Sequence, residues 1–218
     1  MWRGMPQFMS KWMYDLAETL TDPDYVDLTN VVPINSGYKA ILADPPWQFE
    51  TYSEKGRQKS TDNHYHSISL DRLKDIELKR LCAKDCILFL WVVDHSLEVG
   101  LQLMEAWGFT YKTVGFTWVK TTRKNKPEET PEKWHFGLGY WTRANPEMCL
   151  LGTIGKPKRK AKNVRQLMVA PVREHSRKPD DIYKRIESLV DGPYLELFSR
   201  TNRPGWDSIG TQKGIFNE

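Results

Sequence analysis

Asp44, Pro45, Pro46 and Trp47 stand together directly after the apolar run Tyr38-Lys39-Ala40-Ile41-Leu42-Ala43. Neither proline carries an amide hydrogen, so the carbonyl between them is expected to be free of a competing backbone donor and to point, with the Asp44 carboxylate, into a crevice. Two rigid acceptors side by side suit an exocyclic aromatic amine, which has two N–H donors. The indole of Trp47 adds a plane on which a base can lie. Accepting both amine hydrogens pushes electron density onto the nitrogen and readies its lone pair for an electrophile, with Asp44 working by hydrogen bonding and electrostatics rather than as a strong base. The plainer account is a strand-end Asx turn and a Pro-Pro bend over a surface tryptophan, for which these residues are also locally favoured.

A second set of polar residues follows much later. Glu196 lies near the end of a short apolar run at 194–198, and Arg200 and Asn202 come just beyond it. That places ribose acceptors and a carboxylate-binding cation at one sheet edge; the bland alternative is a surface ion pair worth less than about 1 kcal/mol. Lys178 precedes Pro179, where a solvent-exposed residue at a helix start is the common outcome. His64, His66, His95, His135 and His175 have no paired ligand spacing, so no metal is expected.

These residues need a scaffold, and the apolar periodicity supplies one. Residues 38–43 read as a strand that two consecutive prolines bring to an end. Residues 48–66 read as a polar loop, and 70–81 as an amphipathic helix capped by Ser69. The continuous apolar run 86–93 predicts a strand covered on both faces, followed by a helix over 96–107 that Gly108 stops. Strands are expected at 109–120, 148–152, 167–172 and 194–198, with a long loop at 121–133 and a helix over 179–190. Strand and helix in alternation is the rhythm of a parallel α/β sheet, whose ligands sit beyond the carboxyl ends of the strands, where Asp44 falls. Residues 1–37, with helical spacing over 12–20 broken at Asp22-Pro23-Asp24, read as an adapter ahead of a catalytic domain at 38–218.

Composition narrows the class. The 218 residues are 39% hydrophobic and 28% charged, ordinary for a globular chain and inconsistent with a coiled coil or a disordered tail. No apolar run approaches a membrane span, and the start lacks the apolar core of a signal peptide, so a cytosolic address is expected. The three cysteines are read as reduced core residues. The net charge is only +4, yet Lys156, Lys158, Arg159, Lys160, Lys162 and Arg165 form a run with no acid. Such a run is usually a solvated loop, and a polyanion would also neutralise it. Arg57, Lys59, Arg123, Lys124 and Lys126 offer further strand contacts under the same two readings.

Asp-Pro-Pro-Trp after Tyr-Lys-Ala-Ile-Leu-Ala, then Leu-Phe-Leu-Trp-Val, Trp-Val-Lys, Gly-Tyr-Trp-Thr-Arg-Ala-Asn-Pro-Glu, His-Ser-Arg-Lys-Pro-Asp and Glu-Leu-Phe-Ser-Arg occur in that order. This succession resembles the adenine-N6 methyltransferases of the MT-A70 type over residues 38–212, and its 139–145 segment looks closest to the bacterial and phage branch. The resemblance implies a Rossmann-like class I methyltransferase sheet with helices on both faces, the catalytic motif ahead of the cofactor motif, and S-adenosylmethionine as cofactor. It implies that Asp44, Pro45, Pro46 and Trp47 hold the target adenine. It assigns Asp44, Lys178, Glu196, Arg200, Asn202 and Gln212 to the cofactor, and Trp47, Tyr65, Arg143, Glu147 and Lys178 to the incoming nucleoside. Thr211 departs from the asparagine frequent before that glutamine. The sequence has no Gly-x-Gly-x-x-Gly, and a cofactor without phosphate does not call for one.

DNA is the favoured substrate of this reading, in a bacterial or phage-infected cell, with RNA as the alternative because phosphate contacts and an adenine pocket serve both. A homodimer or a partner subunit is compatible with it. A catalytically silent nucleic-acid-binding subunit is the rival from another class, and the intact Asp44–Trp47 motif and Lys178 argue against that rival.

Overall fold

The computed structural model describes residues 36–47, 68–123, 130, 134–137, 139–174 and 176–210. The expected helix at 12–20, nearly all of the adapter, the loop at 48–66, and Tyr65, His175 and Gln212 therefore lie outside the described residues.

Seven described strands form one sheet: β1 (Tyr38–Ala43), β2 (Cys82–Val92), β3 (Thr110–Thr121), β4 (Glu147–Ile154), β5 (Leu167–Pro171), β6 (Tyr194–Leu197) and β7 (Trp206–Ile209). Their order is β5-β3-β4-β2-β1-β6-β7. β1 pairs in parallel with β2 and β6, β6 with β7, and β3 with β5, whereas β4 is antiparallel to both β2 and β3. The parallel rhythm expected of the sheet is thus interrupted at one strand. Parallel neighbours need a crossover, usually a helix. Between β3 and β4 the described residues contain none, so the chain returns in the opposite direction.

Alternation along β2 explains the layers. Leu88, Leu90 and Val92 join one core cluster with Leu103, Met104 and Trp107 of helix α2 (Leu97–Ala106) and its end. Ile87, Phe89 and Trp91 join a second with Ile182, Tyr183 and Ile186 of helix α3 (Asp181–Leu189). A strand buried on both faces must be apolar at every position, which is why 86–92 reads as an unbroken run. Helices cover both faces as expected. Gly100 lets α2 approach β2 closely, since a Cβ there would lie 2.4 Å from Val92 Cγ1.

The helix expected over 70–81 is shorter. Helix α1 (Leu70–Lys74) starts at Ser69, whose Oγ accepts from Arg72 N at 3.4 Å, and gives way to a 3₁₀ turn at Leu78–Leu81. Leu73, Ile76, Leu78 and Leu81 are all buried, and steps of three, two and three do not lie along one α-helical face. β7 escaped the sequence reading because it is four residues long and carries Asp207 and Ser208.

Candidate active site

Leu42 of β1 pairs with Glu196 of β6, and Ala43 with Leu197. Asp44 and Phe198 therefore leave the sheet side by side at the carboxyl ends of two adjacent parallel strands. The chain after Asp44 turns tightly: Trp47 N donates to Pro45 O at 2.9 Å, and Ile68 N to Pro46 O at 2.9 Å. The carbonyl between the prolines thus already has a backbone donor, contrary to the sequence expectation, because a three-residue turn brings the Trp47 amide back onto it. One of its two lone pairs remains for a ligand. Trp47 is also not an open plane. It is 6% exposed, belongs to the core cluster that includes Leu90 and Val92, and donates Nε1 to Trp91 O at 3.3 Å. A buried indole with a satisfied N–H braces the turn, which corrects the expectation that a base lies on it.

Lys178 is the hub. Its ammonium lies 2.9 and 2.7 Å from the two Asp44 oxygens, 3.3 Å from Glu147 Oε2, 3.3 Å from Ser176 O, and 5.7 Å from the Trp91 ring centroid. Glu147, at the start of β4, also binds Lys120 Nζ of β3 at 2.6 Å. Four charges of alternating sign, Asp44, Lys178, Glu147 and Lys120, thus run from the end of β1 across to β3. Burial alone would lower the Lys178 ammonium, but the Asp44 and Glu147 carboxylates hold it above its usual range. Burial likewise opposes ionisation of Glu147, and Lys178 and Lys120 overcome it, so its carboxyl is held below the usual range. Both groups are therefore charged at neutral pH.

Glu196 behaves differently. Tyr183 Oη donates to Oε1 at 2.9 Å and Ser199 Oγ to Oε2 at 2.7 Å. Burial pushes the carboxyl up to about 7 despite the two hydroxyls, with the Asp44 charge adding to the rise and Arg203 opposing it. Arg203 stacks its guanidinium 4.1 Å from the Tyr183 ring centroid. Asp44, Lys178, Glu196 and Arg200 line one cleft, with Trp91 and Tyr183 among its walls.

The structure accordingly brings together Asp44, Lys178, Glu196 and Arg200 from the expected set, with Glu147 behind Lys178. It does not bring Arg143 or Asn202 to the cleft, and both are exposed. Sequence reasoning missed Trp91, Tyr183, Ser176, Phe198 and Thr201 on the wall and Lys120 behind it. Trp91 and Tyr183 sit in apolar patterns that read simply as core. Ser176 and Phe198 have positive φ, 59° and 60°, an uncommon conformation for residues with side chains that concentrates at functional sites and that no sequence pattern betrays.

The MT-A70 family model matches residues 38–212. This chain belongs to the MT-A70 family. The type II methyltransferase M.MunI of Mycoplasma sp is 32% identical over 196 residues, covering 80% of this chain and 77% of that protein. The METTL3 subunit of an N(6)-adenosine-methyltransferase from Danio rerio is 30% identical over 209 residues, 94% of this chain and 31% of its own length. The human METTL3 catalytic subunit is 31% identical over 185 residues, 83% of this chain and 29% of its own. The chain thus spans under a third of these two METTL3 relatives. MT-A70 proteins have the class I methyltransferase fold, use S-adenosylmethionine and methylate adenine at N6.

The residues of this MT-A70 chain fit that cofactor. An ammonium, a carboxylate, a ribose diol and a purine would find carboxylates at Asp44 and Glu196, cations at Lys178 and Arg200, and aromatic walls. Trp91 Nε1 is a buried donor with no hydrogen-bond partner among the described residues, at a wall where a ligand acceptor would satisfy it.

Proposed function

We propose that this chain transfers the methyl group of S-adenosylmethionine to the N6 amine of adenine in DNA. The carrying observation is Asp44, just past the end of β1, with its carboxylate on the cleft and both oxygens held by Lys178. When bound, S-adenosylmethionine supplies a methyl carbon made electrophilic by its sulfonium. Lys178 keeps the Asp44 carboxylate oriented, and each carboxylate oxygen retains capacity for a further donor. Asp44 accepts an N–H of the amine and faces the positive charge that develops on that nitrogen, an electrostatic stabilisation fixed before the reaction begins. Lys178, Glu196 and Arg200 orient the polar ends of the cofactor, and alignment of this kind contributes up to about 7–11 kcal/mol.

DNA is favoured because the match to M.MunI runs over most of both chains. RNA is the second reading, supported by the adenosine methyltransferases that match 80–94% of this chain. Incubation with labelled S-adenosylmethionine and matched DNA and RNA oligonucleotides, followed by digestion to nucleosides, separates them. Label in N6-methyldeoxyadenosine is expected. Label confined to N6-methyladenosine selects RNA, and label in neither overturns the reading.

A further inference from the structure

The segment leading into β4 holds the most exposed aromatic residues described. Phe136 is 66%, Tyr140 81% and Trp141 92% exposed, whereas Trp47, Trp91, Trp107, Trp118 and Trp206 are each 6% or less. A tryptophan left in water forgoes the largest burial gain available to any side chain. The exposed tip is nevertheless built. Gly137 N donates to Ala144 O at 2.6 Å, and Thr142 N to Tyr140 O at 2.8 Å. Trp141 has φ 67°, and the Tyr140 and Trp141 rings meet edge to face, 6.3 Å between centroids. A Cβ at Gly139 would lie 2.2 Å from Thr142 O, so the turn requires glycine.

The base of the tip is tied to the site. Asn145 Oδ1 accepts from Lys120 N at 3.1 Å, and its Nδ2 donates to Lys120 O at 2.9 Å and to His135 O. Two residues on, Glu147 contacts Lys178, which contacts Asp44. Six residues of chain from Trp141 to Glu147 span at most roughly 20 Å, the length of a few nucleotides of strand.

We infer that the Tyr140–Trp141 tip is a base-stacking platform for the substrate strand, outside the cleft that takes the target adenine. The inference rests on the adenine-methylation reading for its ligand. Every base has a face that an indole can cover, whatever the sequence. Residues 134–146 contain no acid, and exposed Arg143 sits two positions from Trp141, able to meet a phosphate. Three exposed aromatic side chains bring roughly 450–750 Å². That is short of the about 800 Å² per partner that a stable protein interface needs.

Trp141→Ala and Trp141→Phe, compared with the unmodified protein, test this with fluorescently labelled adenine-containing single-stranded DNA and RNA oligonucleotides in anisotropy titrations. Calorimetric titration of S-adenosylmethionine, thermal melting and sedimentation run alongside. Trp141→Ala is expected to weaken strand binding about 5- to 100-fold and to raise the KM for oligonucleotide, with cofactor affinity and Tm unchanged. Trp141→Phe should recover most of the loss. Unchanged strand affinity in Trp141→Ala overturns the platform, as does a loss of self-association that accounts for weakened binding, which would make the tip a contact between copies. Strand binding that depends on Trp141 without methylation of either nucleic acid removes the methyl-transfer reading and leaves the platform standing. Methylation with Trp141→Ala indistinguishable from the unmodified protein does the reverse.

Discussion

The cleft and the aromatic tip come within seven residues of each other along the chain, at Glu147 and Tyr140, yet they are built on opposite terms. In the cleft, charges are largely withdrawn from water and satisfied by one another: Asp44 by Lys178, and Glu147 by both Lys178 and Lys120. At the tip, Trp141 is almost wholly in water. Groups that must act on a reacting atom are fixed before the substrate arrives, because reorganising them during the reaction would cost rate. Groups that only hold a strand gain most when their burial waits for it. The backbone turn under Trp141 shows that exposure here does not mean looseness.

That contrast breaks first at Lys178. Replacing it with methionine leaves half-buried Asp44 without its cation and buried Glu147 with Lys120 alone, and the expected loss is about 2–3 kcal/mol in denaturant unfolding. A loss under 1 kcal/mol would mean that the cleft charges are no more interdependent than surface ones. Asp44→Ala leaves Lys178 paired with Glu147, so the fold should survive by circular dichroism. Methylation should fall by at least about 10²–10³-fold, and retained activity would remove Asp44 from the chemistry.

Glu196 sharpens the comparison through pH. Its carboxyl is held up to about 7 in the folded chain against an ordinary value near 4.5, so the folded state binds more protons between those limits. Stability is therefore highest on the acid side of that window and falls as pH rises through 7, by at most about 3 kcal/mol. Glu196→Gln should flatten this fall in melts taken from pH 5 to 8. Glu147, with its carboxyl held low, acts in the other sense and only below pH 4.5, where its protonation removes stability. The smallest structural effect is expected at the tip: Arg143→Ala should change stability by less than about 0.5 kcal/mol. Its mark is instead a salt dependence of strand binding shallower by about one counterion.

Much of this was readable in the residues. The strand at 38–43, the stop at Gly108 and the helix near 181–189 follow from period and punctuation. Asp44 stood out because a carboxylate directly after a strand is conspicuous, whereas Lys178 was singled out by the family resemblance, its place before Pro179 reading by itself as a solvent-exposed helix start. Trp47 was misread because an indole beside a motif looks the same in sequence whether it faces a ligand or the core. The reversal of β4 was hidden because an apolar strand carries no mark of its direction. Trp91 and Tyr183 were hidden because an apolar pattern predicts burial and not which edge of the ring meets a cavity.

Local chemistry by itself determined the order of strands and helices along the chain up to β6, the strand-ending proline pair, and the residue types able to meet an amine and a zwitterionic cofactor. Period, turn propensity and charge act over a few neighbouring positions and can be read there. Only the tertiary structure decided that residues 44, 147 and 178 share one ammonium, that the proline carbonyl closes a turn, and that Trp141 stands in water while Trp47 is buried. Those outcomes depend on which strands become neighbours across a hundred residues or more, where sheet register and packing set distances that no short stretch of sequence contains.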